Sequence, residues 1–275
     1  MTIDLQQLPA ALQAYKNQIL ASAKPSIEMQ LSPSEHLNLW QSKVGGEPYL
    51  PLTASYPVDR EGRPLKLLAQ LNFSEMPAHP DFPSTGILQF FIGTDDLYGA
   101  DFDEPRLQQD FRVQYFEQVT QDLAQLHQVF PSWSNADEVY SPLTGQYTLT
   151  FNPTEQYISI EDTHFGRQIL AVDQVFDFEE QFEGEDFYEE CYEPYADLCP
   201  ANGHRIGGYP FFTQSDPREF NPTIQDYVLL LQIDSDTDNG VDIMWGDCGV
   251  GNFFIHPNDL KNRDFSKVLY NWDCS

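Results

Sequence analysis

Three aspartates at alternate positions, followed by a glycine, have the spacing in this sequence that most resembles a cation site. The run DSDTDNGVDIMWGDCG, residues 234–249, supplies carboxylates at 234, 236 and 238, and Ca²⁺ prefers oxygen ligands. An EF-hand loop requires glycine at its sixth position and glutamate at its twelfth. Those positions hold Asn239 and Trp245. The register therefore favours a connector between strands, with Asn239 and Gly240 in a turn, and no metal site is predicted.

A thiol is the second candidate for chemistry. Cys248 follows Asp247, and folding could bring His204 or His256 beside it, where a histidine would activate the thiol. Cysteine is among the most buried residue types, and no C-x-x-C pair occurs, so reduced structural thiols are favoured for all four cysteines. The motifs of serine hydrolases, zinc proteases, P-loops and dinucleotide sites do not occur either. No catalytic residue and no cofactor are predicted.

Polar residues at matched positions are the third candidate. Lys43 and Arg205 each precede a Gly-Gly pair, and Gln70 and Gln232 follow those glycines at equal distances within apolar runs. A buried glutamine must satisfy both ends of its amide, so a structural clamp used twice is the favoured interpretation. The alternative is a small polar pocket at the junction of the two copies that holds a ligand or an anion. Its predicted residues are Lys43, Gln70, His204, Arg205, Gln214, Asp216, Gln232, Trp245 and Asp247.

These positions belong to an internal repeat. Three motifs recur in order, each bounded by turn residues, and a fourth, FRVQYF from Phe111 against FSKVLY from Phe265, shows drifted spacing. Apolar runs of this kind are typical of strands, and the unbroken ones indicate strands that are buried on both faces. The matched pairs are SKVGGEPYL (42–50) with HRIGGYPFF (204–212), LLAQLNF (67–73) with LLLQIDS (229–235), and GILQFFI (86–92) with GVGNFFI (249–255).

The repeat predicts an α+β fold in one domain, residues 1–275. Two similar β-rich halves, at about 40–120 and 202–275, derive from an internal duplication and pack about a pseudo-two-fold axis. A few peripheral helices are expected, at 9–22, at 110–127 and in an acidic connector at about 170–200. Aromatic residues interleave with the acids of that connector, which predicts short helices with an aromatic face.

Charge narrows the range of partners. The chain carries 14 Lys and Arg against 43 Asp and Glu, a net charge of −29, and such a surface repels phosphate backbones and anionic lipids. Nucleic acid and membrane are therefore poor partners. The acid excess is interpreted either as a solvated face or as a surface that steers a basic protein toward it. The N-terminus lacks a basic start followed by an apolar run, and no apolar stretch is long enough to span a bilayer, so a soluble cytoplasmic protein is expected.

Together, the segments LWQSKVGGEPYLP, PLKLLAQLNFSEMP, GILQFFIG, HRIGGYPFFTQSDPR and LLLQIDSD…MWGDCGVGNFFI resemble the YwqG-like family of bacterial proteins. The resemblance covers about 39–273 and implies an α+β fold without established catalytic residues. Some relatives are encoded near secreted toxin systems, so it also suggests an immunity role.

Two main function classes follow from the sequence. The first is an interaction module whose acidic, aromatic-rich segment at 173–197 docks a basic partner such as a toxin domain. The alternative is a small-ligand binder or enzyme that uses a polar pocket at the junction of the repeats. A stand-alone structural protein is the third possibility.

Overall fold

One antiparallel sheet of ten strands forms the centre of the molecule and curls around its core. The computed structural model describes residues 4, 6–132, 139–180, 182, 186–219 and 221–275. The order of the strands in the sheet is β10-β9-β8-β7-β1-β6-β2-β3-β4-β5. Their bounds are β1 Lys24–Pro33, β2 Lys43–Gly45, β3 Lys66–Asn72, β4 Ile87–Ile92, β5 Arg112–Phe116, β6 Gln146–Gln156, β7 Arg205–Gly207, β8 Val228–Asp234, β9 Val250–Ile255 and β10 Leu269–Asp273.

The helices are short and peripheral to the sheet. This arrangement confirms the α+β class with a few peripheral helices, and a helix is found where 9–22 predicted one. The four α-helices are α1 Lys16–Ala21, α2 Val175–Glu179, α3 Glu193–Leu198 and α4 Pro257–Asn262. Short 3-10 helices occupy Ala10–Tyr15, Phe73–Glu75 and Leu123–Gln125, and π-helical turns occupy Gly166–Leu170 and Tyr188–Tyr192.

The helix predicted at 110–127 is wrong. Its first part is strand β5, which pairs with β4 and buries Val113, because the alternating pattern at 112–116 suits an edge strand better than a helix. Only the 3-10 turn Leu123–Gln125 is helical there. The drifted fourth motif is also misaligned: Gln114 lies opposite Gln89, while Asn271 lies opposite Asn252. Phe111 therefore corresponds to Val268 rather than to Phe265.

The two sides of the sheet have the same order of strands from the centre outward. Strands β1 and β6 pair at the centre; β7 to β10 extend from β1, and β2 to β5 extend from β6. Glu28 of β1 lies opposite Arg205, and Thr148 of β6 lies opposite Lys43. We use "first half" for β2–β5 and "second half" for β7–β10. The internal duplication itself stays a prediction.

Two hydrophobic clusters form most of the core. The main cluster joins both halves, with Val44 and Phe90 from the first and Ile206 and Phe253 from the second. Strands β3 and β8 are buried along almost their whole length, as their unbroken apolar runs predict. A second cluster lies under the acidic segment and includes Phe187 and other aromatic side chains, so the aromatic residues of that segment contribute to the fold.

Candidate functional site

Lys43 is fully buried on β2 and is held by main-chain carbonyls. Its Nζ donates to the carbonyl oxygens of Asn38 at 2.6 Å, Glu47 at 2.8 Å and Leu39 at 3.4 Å. Burial lowers the pKa of Lys43 to about 7, although Glu47 and Glu75 oppose the change. The amine therefore ties the segment before β2 to the turn after it.

Gln70 of β3 is buried and uses both ends of its amide. Its Oε1 accepts from Tyr49 N at 2.7 Å and from Gln89 Nε2 at 2.6 Å, and its Nε2 donates to the carbonyls of Leu39 and Gln41 at 2.8 and 2.7 Å. Four hydrogen bonds are the full capacity of a glutamine amide. Gln70 is thus a saturated clamp between β3 and the loops on either side of β2.

The second half repeats this arrangement. Gln232 of β8 accepts from Phe211 N at 2.8 Å and donates to the carbonyls of Ala201 and Gly203 at 2.8 and 2.7 Å. Arg205 lies opposite Gln232, as Lys43 lies opposite Gln70. Arg205 donates to the carbonyl of Asn202, and burial lowers the pKa of Arg205 to about 10.

The clamp continues along the sheet through residues that were not predicted from the sequence. Gln89 Nε2 donates to Tyr49 O at 2.7 Å and its Oε1 accepts from Gln114 Nε2 at 2.7 Å. In the second half Asn252 Nδ2 donates to Phe211 O at 2.8 Å. Its Oδ1 has no partner among the described residues. Gln89 in LQFF and Asn252 in GNFF could have indicated this continuation, because they occupy the same place in both copies.

These clamps do not share a pocket. Strands β1 and β6 lie between β2 and β7, so the strands that carry Lys43 and Arg205 are three strand spacings apart, roughly 14 Å at the usual separation. Each of them is bonded within its own half. The structure places Lys43 and Gln70 in one group and Arg205 and Gln232 in another.

The remaining predicted residues are also dispersed. His204 accepts from Asp234 N at 3.1 Å through Nδ1 and donates to Asp236 at 3.2 Å through Nε2; burial lowers its pKa. Gln214 and Asp247 are exposed. Trp245 is fully buried. Asp216 is buried in a cluster of charged residues, treated below.

The aspartate run forms the predicted connector between β8 and β9. Asn239 and Gly240 have positive φ, and Asp236 pairs with Ile243 across the turn. Within the residues that the structure describes, no three His, Cys, Asp or Glu side chains form a group that could hold a metal. All four cysteines are unpaired; Cys191 and Cys199 are buried, which raises the pKa of each thiol to about 11.

A cleft with a volume of about 700 Å³ lies between the halves. One wall is the β3–β4 connector at 79–83 from the first half, and the other is residues 257–263, which include α4, from the second. The start of β1, the Gly207–Gly208 pair and the start of β8 complete the lining. None of the nine predicted residues contributes to it. The cleft thus lies at a junction of the halves, but with a different lining from the one predicted.

The cleft is cationic in a strongly acidic protein. Lys24, Lys261 and Arg263 line it, against Asp81 as the one acid among its described lining residues. His79 also lines it, and its Nδ1 accepts from Asp81 N at 3.2 Å. Lys24 Nζ lies 4.2 Å from the centre of the Tyr209 ring. Arg263 forms an ion pair with the exposed Glu117. Phe82, Leu229 and Leu260 give the cleft apolar surface.

A smaller chamber of about 210 Å³ shares Lys24, Gly208 and the start of β8 with the cleft. Asp162, His164 and Arg218 line the chamber. Arg218 donates to Asp162 Oδ2 at 2.9 Å and to both oxygens of Asp216, at 2.8 and 2.5 Å. His164 Nδ1 lies 2.7 Å from Asp162 Oδ1. The side chains of Asp162, His164, Asp216 and Arg218 are called the ion cluster below.

The charges of the ion cluster are fixed by their proximity. Burial raises the pKa of Asp162, but Arg218 and His164 outweigh it, and the net result lies well below the ordinary range. Burial lowers the pKa of Arg218, and Asp162 and Asp216 more than reverse this. Asp162 and Arg218 are therefore ionised at neutral pH. From the SDPR motif, residues 215–218, only Asp216 was predicted as a site residue. Arg218 was not, because its partner Asp162 is distant in the chain.

A family model described as "Domain of unknown function (DUF1963)" matches residues 42–274. The chain belongs to this family. The match spans both halves and the acidic segment between them, and it assigns no activity. No curated protein matches the chain. Among the described residues, no helix is long and apolar enough to cross a membrane.

Proposed function

We propose that the protein binds a small ligand with an anionic group and an apolar body in the cleft between its halves. The observation that carries this proposal is the concentration of Lys24, Lys261 and Arg263 around one cleft in a chain of net charge −29. An anion approaching the rest of this surface is repelled, so a local group of cations is what permits its binding. A volume of about 700 Å³ also lies in the range of small-molecule sites.

The experiment compares a matched acid and amide. Isothermal titration calorimetry with 4-phenylbutyrate and 4-phenylbutyramide should show binding of the acid and at least tenfold weaker binding of the amide. Lys24→Gln and Lys261→Gln should each weaken binding of the acid by about fivefold to tenfold, or about 1 kcal/mol. Lys267→Gln, an exposed lysine outside the cleft, is the control. Equal binding of acid and amide, or equal losses in the control, would contradict the proposal.

A second candidate function is the docking of a basic protein on the acidic segment at 173–197. The specific observation is that Phe176 and Tyr188 are 67% and 58% exposed there, among carboxylates, while other aromatic residues of the segment are buried. An acidic face with exposed aromatic side chains is complementary to a basic partner. A toxin domain would be such a partner, in line with the YwqG-like resemblance and a cytoplasmic location.

Charge reversal tests this second candidate. The triple variant Glu179→Lys, Glu180→Lys and Glu189→Lys should slow association with a basic partner recovered by affinity capture and reduce its salt dependence, because charges at the rim of an interface act chiefly on the on-rate. The melting temperature should stay within 2 °C or so, since exposed charges contribute little to stability. Unchanged association at both low and moderate ionic strength would exclude docking on this segment. Glu185 lies outside the described residues.

We also propose that the two halves arose by internal duplication and pack about a pseudo-two-fold axis through the β1–β6 pair. The support is the shared order of strands and the equal placement of Gln70 and Gln232 opposite Lys43 and Arg205. In this view the repeated residues build the fold, and the residues that differ between the copies carry the function.

A further inference from the structure

The side chamber contains a histidine that is oriented by a buried carboxylate. His164 Nδ1 lies 2.7 Å from Asp162 Oδ1, and the His164 backbone N–H donates to the same oxygen at 2.9 Å. Because Asp162 is ionised, it accepts a hydrogen bond from the ring, so Nδ1 carries the hydrogen and Nε2 is left as the basic nitrogen. No described residue forms a hydrogen bond with Nε2.

The rest of the ion cluster fixes that carboxylate. Arg218 donates to Asp162, to Asp216 and to the carbonyl of Tyr227 at 2.9 Å, and its guanidinium lies 4.8 Å from the centre of the Phe254 ring. Two carboxylates and one guanidinium leave one negative charge in excess, and Lys24 and Asp226, which also line the chamber, add one charge of each sign. A proton accepted by His164 would neutralise that excess, which is the electrostatic role of the aspartate in a catalytic triad.

His164 is accessible where the other members are not. Its side chain is 22% exposed, whereas those of Asp162 and Arg218 are 2% and 3% exposed. Lys24 and Gln168 also line the chamber and supply a cation and an amide to it. No serine, threonine or cysteine is among the described residues that line the chamber, so the nucleophile available to a base there is water.

We infer that His164 is a general base that hydrolyses an ester of the anionic ligand held in the cleft, an inference that rests on the proposed function. His164 Nε2 takes a proton from water as the water oxygen forms a bond to the acyl carbon. Lys24 stabilises the resulting oxyanion. The bond from the acyl carbon to the alkoxide then breaks, and the imidazolium returns the proton to the leaving oxygen. The products are a carboxylic acid and an alcohol.

Hydrolysis of a chromogenic half-ester tests the inference. Wild-type protein should release 4-nitrophenol from mono-4-nitrophenyl succinate faster than buffer does, and faster than from the neutral 4-nitrophenyl acetate relative to buffer. His164→Ala should lower the catalysed rate by about 100-fold or more, the usual contribution of a general base. His36→Gln, an exposed histidine outside both cavities, should keep the wild-type rate.

Chemical rescue separates a base from a structural residue. Added imidazole should restore part of the lost rate in His164→Ala, and the restored rate should saturate with imidazole concentration. A purely structural role for His164 would not respond in this way. A wild-type rate equal to that of buffer, or a His164→Ala rate equal to that of wild type, would overturn the inference.

Calorimetry with 4-phenylbutyrate on the same preparations distinguishes failure of the general-base role from failure of the cleft proposal. If the acid binds but no half-ester is hydrolysed, the general-base role fails and the cleft proposal stands. If neither occurs, both fail.

Discussion

The two halves of the sheet share a frame but differ in the connector that follows their first long strand. In the second half the β8–β9 connector packs inward: Ile243 pairs with Leu143, which precedes β6, and Trp245 is fully buried. In the first half the β3–β4 connector crosses to the second half and stays open, with His79 and Phe82 only partly buried beside Gly207. One connector fills its side of the core, and the other forms the wall of the cleft.

This difference separates structure from function within one fold. The paired polar residues common to both halves are buried and hold loops to strands through hydrogen bonds, so they are not accessible to a ligand. Lys24 of the cleft has no matched cation in the other copy of the frame, because it corresponds in register to Thr144. We conclude that repetition marks the structural residues and that departure from the repeat marks the candidate site.

The largest effect is expected from removing the shared clamps. Gln70→Leu removes the acceptor of Tyr49 N and one donor from each of two carbonyls, and Gln232→Leu does the same to Phe211 N and the carbonyls of Ala201 and Gly203. Each change should lower the free energy of unfolding by about 4 kcal/mol, the sum of several unsatisfied buried groups. Urea denaturation measures this loss. A loss below about 1 kcal/mol in either variant would show that the two frames are not equivalent.

The two connectors should contribute unequally to the stability of the fold, whereas the two clamps should contribute equally. Trp245→Ala removes a fully buried indole and should cost about 4 kcal/mol. Phe82→Ala removes a partly exposed ring at the edge of the cleft and should cost about 1 kcal/mol. Equal losses in the two denaturation curves would mean that the first connector is packed as tightly as the second, and the cleft would then not be open.

The pH dependence of stability should reside in the segment between β6 and β7. Burial raises the pKa of Glu161, which precedes the ion cluster, from 4.5 to about 7, with Asp273 adding to the rise and a backbone hydrogen bond opposing it. A carboxyl group whose pKa is raised by folding stabilises the native state below its unfolded pKa, and that stability is lost as the pH rises through about 7.

Glu161→Gln should therefore be more stable than wild type by about 2 kcal/mol at pH 8, with the difference vanishing near pH 4. Exposed Glu35→Gln serves as the control and should follow wild type at both values. Denaturation at the two pH values checks this, and a Glu161→Gln curve parallel to that of wild type would remove Glu161 as the source.

The smallest effect concerns the two Gly-Gly turns. Gly45 and Gly207 both have positive φ, so alanine is strained at either site. An added Cβ would lie 2.6 Å from the backbone oxygen of Gly145 at position 45, but 2.9 Å from the movable ring of His79 at position 207. Gly45→Ala should therefore cost about 1 kcal/mol more than Gly207→Ala. The difference in melting temperature measures it, and the reverse order would indicate that the wall of the cleft is rigid.

The frame could be predicted from the sequence, and the cleft could not. Gln70 and Gln232 stand at fixed distances from glycine pairs in apolar runs, and local spacing of that kind survives in the fold. Strand β5 was obscured because the spacing drifts before it and its residues also fit a helix. Lys24, His79 and Lys261 show no mutual spacing, since the pairing of distant strands brings them together. The ion cluster was missed for the same reason.

The most direct test of the account is a two-dimensional amide NMR titration with 4-phenylbutyrate and 4-phenylbutyramide. The acid should shift the backbone resonances of Gly207, Gly208 and Lys261, which line the cleft, and leave those of Gly45 and Gly46 in the matching turn of the first half unchanged. The amide should shift neither set at the same concentration. Shifts of equal size in both Gly-Gly turns, or shifts with both compounds alike, would contradict the claim that one half of a symmetric frame carries a cleft for anions.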